Sequence, residues 1–112
     1  MKVRKRKRLS KRDRIKVIER DNRTCQACGK GDRILYQEVL DYCKELGTDI
    51  LPDEMMSRVA ELDHIVPFSC GGECAIHNFQ TLCGSCNNSK GSLSMEEFME
   101  RRKEKGLEVF SI

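Results

Sequence analysis

The sequence predicts a small α+β domain held by a structural metal, and three observations lead there. Two C-x-x-C knuckles, Cys25-Gln26-Ala27-Cys28 and Cys83-Gly84-Ser85-Cys86, stand at opposite ends of the central region. Between them the β-branched, apolar run at 59–66 reads as a strand that Pro67 stops. On either side lie stretches with helical apolar spacing and recognisable caps. The chain has 112 residues, four Phe, two Tyr and no Trp, with 38% hydrophobic content, so apolar burial alone is thin and a staple is expected.

Residues 1–9 read as a basic arm, disordered without a ligand. Residues 10–112 read as one domain with no internal repeat or linker. Ser10 is an N-cap, and Ile15, Val17 and Ile18 supply the apolar face of a helix to about Arg20. Asp21-Asn22-Arg23 breaks it before the first knuckle, which Gly29 and Gly31 close. An acidic insert follows over about 31–60. In it Ile34, Leu35, Val39, Leu40, Cys43 and Leu46 fall at helical spacing that ends near Gly47. Pro52 interrupts the chain, and 53–57 reads as one more helical turn. Beyond the strand, Gly71-Gly72 marks a tight loop, and 78–82 returns toward the second knuckle. Residues 86–90 read as a short helix broken at Gly91. Ser94 with Glu97 forms a capping box for a last helix over about 94–105, with Phe98 and Met99 apolar.

Net charge is +3, but it is unevenly spread. Residues 1–20 carry eleven Lys/Arg against Asp13 and Glu19, a balance of +9; the remainder carries ten basic against sixteen acidic residues, a balance of −6. A basic arm on an acidic body points to a polyanion, most simply nucleic acid. The residues expected to meet it are Arg4, Lys5, Arg6, Lys7, Arg8, Lys11 and Arg12. No apolar run is long enough to span a membrane, and the N-terminus lacks the apolar stretch of a signal peptide. The expected location is therefore cytoplasmic, where C-x-x-C pairs read as metal ligands and not as disulfides.

Four thiolates in two C-x-x-C steps suit one tetrahedral zinc, whose binding would couple to folding. Cys43 reads as packing on the insert helix, while Cys70 and Cys74 flank the Gly-Gly loop and read as ordinary thiols, with an additional ligand or a redox pair as the alternatives. The chemistry gathers at Asp63-His64. A neutral imidazole can take a proton from water near neutral pH, and a carboxylate with an Asn carbonyl suits a hard divalent cation. An Asp-His step alone is a weak signal; its place between the knuckles makes it a strong one.

Leu62-Asp63-His64-Ile65-Val66-Pro67, then Gly71-Gly72, then Asn78-Phe79-Gln80-Thr81-Leu82-Cys83-x-x-Cys86-Asn87-x-x-Lys90 closely resembles the zinc-containing HNH endonucleases, small proteins frequent in phages, prophages and mobile elements. The resemblance covers about residues 20–91. It implies a ββα-metal fold, two antiparallel strands and a helix around one catalytic cation, beside the zinc site of Cys25, Cys28, Cys83 and Cys86. By position, it implies His64 as general base, Asp63 as cation ligand and Asn78 as the residue that holds the loop and orients His64. Asn87 takes the last position, as a second cation ligand. Many relatives have His there, so this chain reads H-N-N, with Mg²⁺ or Mn²⁺ as the expected metal and Ni²⁺ as another candidate.

The activity implied is metal-dependent hydrolysis of DNA phosphodiester bonds, leaving a 3′ hydroxyl and a 5′ phosphate. Lys90 matches a family lysine and reads as a phosphate contact or a surface lysine. His77 reads as a solvated loop histidine. The acidic insert has the wrong sign to lie on DNA, so packing away from it or meeting a protein partner is expected. Two rival readings are a catalytically silent, zinc-stabilised DNA-binding module and a partner-dependent accessory to phage DNA packaging. One active centre per chain makes nicking the expected outcome for a monomer.

Overall fold

Ser10 sits extended ahead of the first helix, and its hydroxyl accepts a hydrogen bond from the Asp13 N–H at 3.1 Å, so α1 (Lys11–Arg20) begins at the expected cap. The computed structural model describes residues 8–110. Arg4, Lys5, Arg6 and Lys7 lie outside the described residues; Arg8, Lys11 and Arg12 are exposed. Val17 and Ile18 are the buried side of α1. Asn22 and Arg23 then take positive φ and turn the chain into the first knuckle.

The insert forms α2 (Tyr36–Leu46) and α3 (Asp53–Ser57). Val39 and Cys43 are the buried face of α2, and Gly47 ends it in the left-handed conformation that glycine adopts without steric cost. Cys43 is thus a packing residue, its thiol 3.6 Å from the Ile50 carbonyl. Ile34 pairs in parallel with Val59 through an isolated bridge, which ties the two ends of the insert together.

The strand is shorter than the run of 59–66 suggests. β1 spans Glu61–His64 and pairs antiparallel with β2, Phe79–Leu82. Its register sets Glu61 opposite Leu82, Leu62 opposite Thr81, Asp63 opposite Gln80 and His64 opposite Phe79. Beyond His64 the Ile65 N–H still reaches the Asn78 carbonyl in register at 2.8 Å, but the return bond is not made, because the Asn78 N–H donates to the Ala75 carbonyl and the Ile65 carbonyl accepts from Met95. Short 3₁₀ turns at Phe68–Cys70 and Ile76–Asn78 complete the connection.

The second short helix starts two residues earlier than its sequence suggests. Cys83 is its N-cap, its sulfur accepting from the Cys86 N–H, and α4 runs Gly84–Lys90. The last helix, α5, spans Met95–Glu104 behind the Ser94–Glu97 capping box. A core of Cys25, Ala27, Leu82, Cys83, Cys86 and Phe98 lies between knuckles and α5, with Leu93, Met95 and Met99 packed against it. Hairpin and α4 thus form a ββα unit beside a cysteine cluster. Among the described residues, no helix is long and apolar enough to cross a membrane.

Candidate active site and metal centre

The knuckles bring four sulfurs together. The Sγ atoms of Cys25, Cys28, Cys83 and Cys86 all lie within 4.8 Å of one another. Cys28 and Cys83 are 3.8 Å apart, which matches the edge of about 3.8 Å expected for a tetrahedron with metal–sulfur bonds of about 2.3 Å. Arg102 donates to Cys86 Sγ at 3.8 Å, and the Cys86 N–H donates to Cys83 Sγ at 3.5 Å. Burial pushes the Cys28 and Cys86 thiols up. It opposes ionisation of Cys25 as well, but backbone N–H groups of Cys28, Cys83 and Ala27 bring that thiol down to about 7. A cage that favours one thiolate and resists ionisation of Cys28 and Cys86 calls for a dication, and the donor set fits structural zinc.

Alternation along β1 sorts the catalytic candidates onto two faces. Leu62 and His64 share a face with Thr81 and Phe79, and the His64 ring lies 4.3 Å from that of Phe79. Glu61 and Asp63 share the opposite face with Leu82 and Gln80, and Gln80 Nε2 donates to Asp63 Oδ2 at 3.3 Å. Against this second face stands α4. Asn87 and Lys90, three residues apart, fall on one side of the helix. Asn87 Nδ2 donates to Glu61 Oε2 at 2.7 Å, and Lys90 Nζ lies 2.8 Å from Asp63 Oδ2. Lys90 also donates to the His64 carbonyl at 3.0 Å.

Lys90 is 2% exposed, so it is not a surface lysine. An ammonium so buried needs a counter-charge, and Asp63 provides it.

Asn78 is buried and spans the loop that follows His64. Its Oδ1 accepts the Val66 N–H at 2.9 Å, and its Nδ2 donates to the Val66 and Glu73 carbonyls at 3.1 and 2.9 Å. Gly72 completes the brace. A Cβ there would overlap the Val66 carbonyl and approach Asn78 Nδ2 to 2.9 Å. His77 is exposed and 3.4 Å from Glu73.

Two clefts open on the unit. One of about 220 Å³ is lined by Asp63, His64, Pro67, Phe68 and Lys90, among others. The other, about 740 Å³, is lined by Lys11 and Arg14 from α1, by Tyr36, and by Glu61 and Asn87. Asp63 and Asn87 therefore sit on facing elements but border different clefts. The start of the acidic insert also turns out to line the larger groove, through Leu35, Tyr36 and Gln37.

Sequence reasoning misses Glu61, although its two-residue offset from Asp63 puts it on the same strand face. It also misses the clamp at the end of α1. Arg20 Nη2 donates to the Phe79 carbonyl at 2.7 Å, and Asp21 Oδ2 accepts the Thr81 N–H at 2.8 Å. These contacts join residues about sixty positions apart, so no local pattern announces them.

Residues 53–103 match a family model described as HNH endonuclease. A human protein, DNA annealing helicase and endonuclease ZRANB3, is 27% identical over 109 residues, covering 81% of this chain and 10% of that protein. The bovine protein of the same name is 28% identical over 109 residues, with the same shares. The chain thus spans about a tenth of the length of these curated relatives.

Proposed function

We propose, from the match of residues 53–103 to the HNH endonuclease model, that this chain hydrolyses DNA phosphodiester bonds with His64 as general base and one divalent cation. The observation that carries the reading is Lys90 of α4, which bonds both the Asp63 carboxylate and the His64 carbonyl and so holds the Asp-His step beside a cleft that Asp63 and His64 both line.

Each residue then has a task. His64 accepts a proton from the attacking water. Its ring is supported by Phe79, its carbonyl is held by Lys90, and the turn after it is braced by Asn78. Asp63 and Asn87 are the candidate cation ligands, and their carboxylate and amide oxygens are the hard donors that Mg²⁺ or Mn²⁺ takes. A cation bound there supplies charge compensation at the scissile phosphate and the departing 3′ oxygen. Basic residues on α1, Lys11, Arg12 and Arg14 among them, are suited to the DNA backbone, and Lys11 and Arg12 are exposed. The thiolate cluster acts at a distance. Cys86 immediately precedes Asn87, so the cluster sets the pose of α4.

Supercoiled plasmid tests this. Purified protein should convert it to open-circular or linear DNA with Mg²⁺, Mn²⁺ or Ni²⁺ and not with EDTA, and His64→Ala should abolish cleavage while retaining zinc and DNA binding. Full cleavage by His64→Ala would sink the mechanism. DNA binding without cleavage under any metal would favour the silent binding module.

One observation supports a protein partner in addition. Tyr42, Leu46 and Ile50 are 43%, 61% and 79% exposed on the acidic insert, apolar surface that a partner could cover. A partner-dependent enzyme would gain cleavage activity on addition of host extract, and that gain would disappear when these three residues are made polar.

A further inference from the structure

We propose that Glu61 is a positioning residue of the cation site, acting through the amide of Asn87; this rests on the cation reading above. A carboxylate accepts hydrogen bonds and cannot donate them. The 2.7 Å contact between Glu61 Oε2 and Asn87 Nδ2 therefore determines which edge of the amide faces the strand. The NH₂ is spent on Glu61, and Oδ1 is left on the other edge as a free acceptor. An amide without that partner turns about its last bond and presents NH₂ or oxygen with little preference. Only the oxygen can hold a metal.

The surroundings make this contact a built one. Glu61 lies on the strand face of Asp63, two residues back, and pairs across the ladder with Leu82, just before Cys83. Asn87 follows Cys86, and its N–H donates to the Cys83 carbonyl at 2.9 Å, so thiolate cluster and helix set its backbone. The Glu61 carboxylate lies against the first turn of α4, where a Cβ on Gly84 would meet Oε1 at an ordinary contact distance of 3.6 Å. Glu61–Asn87 and Asp63–Lys90 thus form two successive rungs between β1 and α4. In the second rung Lys90 holds one oxygen of Asp63; in the first, Glu61 holds the nitrogen of Asn87. Both rungs leave an oxygen uncommitted. Partners that orient a metal ligand in this way are commonly worth about ten- to a hundredfold in metal affinity.

The test is Mn²⁺ affinity of the full, zinc-loaded chain by calorimetry, without DNA. Glu61→Ala should weaken Mn²⁺ binding about tenfold or more, with zinc content unchanged. Glu61→Gln, whose side-chain carbonyl still accepts from Asn87, should stay within about threefold of the parent by the same reasoning. The double variant with Asn87→Ala should bind no more weakly than Asn87→Ala alone. Glu61→Leu keeps the volume, removes the acceptor and repeats the test should the alanine chain lose its zinc. Parental affinity in Glu61→Ala, or additive losses in the double variant, would overturn the proposal. Equal losses in Glu61→Gln and Glu61→Ala would also overturn it, because the carboxylate charge and not the amide lock would then matter. The cation reading fails separately: in that case Asp63→Ala binds Mn²⁺ as the parent does.

Discussion

Lys90 and Asp63 meet at 2.8 Å with their side chains 1% and 10% exposed, and the same ammonium reaches the His64 carbonyl at 3.0 Å. A single buried cation from the end of α4 therefore holds both halves of the Asp-His step. Charge-assisted bonds of this kind, away from water, are among the stronger and least forgiving in a small protein.

Lys90→Met should consequently cost about 3–5 kcal/mol of stability in the zinc-loaded chain without added Mn²⁺, because it strands the Asp63 carboxylate without its counter-charge. Mn²⁺ should recover part of that loss if Asp63 faces a cation site. Chemical denaturation with and without Mn²⁺ measures both. Unchanged stability with weakened DNA binding would instead mean that Lys90 contacts phosphate.

Asn78→Ala should destabilise the chain by about 1–3 kcal/mol, since the Val66 N–H and two carbonyls lose their partner in a closed loop. Cleavage should fall further than the melting temperature implies, because the turn that follows His64 loosens. Plasmid cleavage well below the melting midpoint separates the two effects.

Gly72→Ala should cost about 1–3 kcal/mol or more through overlap with the Val66 carbonyl. Gly71→Ala meets no atom within 4 Å, and its cost comes only from φ +90°. Thermal melting of the two variants should rank Gly72→Ala as the more damaging.

Removing the structural metal should unfold the chain. Zinc sites in small domains are worth about 10–16 kcal/mol, as large as the whole stability of a domain, about 5–15 kcal/mol. A strong chelator, or Cys83→Ser, should abolish the far-ultraviolet helix signal along with zinc content. Retention of a cooperative melt without zinc would contradict this.

Lys11→Ala with Arg12→Ala should lower DNA affinity and reduce the slope of log affinity against log salt by about 2, close to 0.9 for each phosphate that is no longer neutralised. Both side chains are exposed on α1. Fluorescence titration at several salt concentrations reads the slope, and an unchanged slope would take α1 off the DNA path.

The sequence by itself determined those features whose cause is local. Ser10 and the Ser94–Glu97 box start their helices because a side-chain oxygen and an orphan N–H lie within one turn of each other. Gly47 stops α2 because only a residue without Cβ takes its φ cheaply. The two C-x-x-C steps and the Asp-His-to-Asn spacing likewise point to a metal staple and to a likeness to HNH endonucleases before any fold is known. Tertiary structure decided the rest. The strand stops at His64, short of Val66, because the Asn78 N–H turns back to Ala75, the Ile65 carbonyl is taken by Met95 and the Val66 N–H by the Asn78 side chain. Lys90 is internal because the face of α4 that carries it lands on Asp63. Glu61 becomes a partner of Asn87 only once the zinc-side core has set helix against strand. Caps and spacings are written in neighbouring residues, whereas the pairing of a buried charge depends on which distant surface folding brings against it.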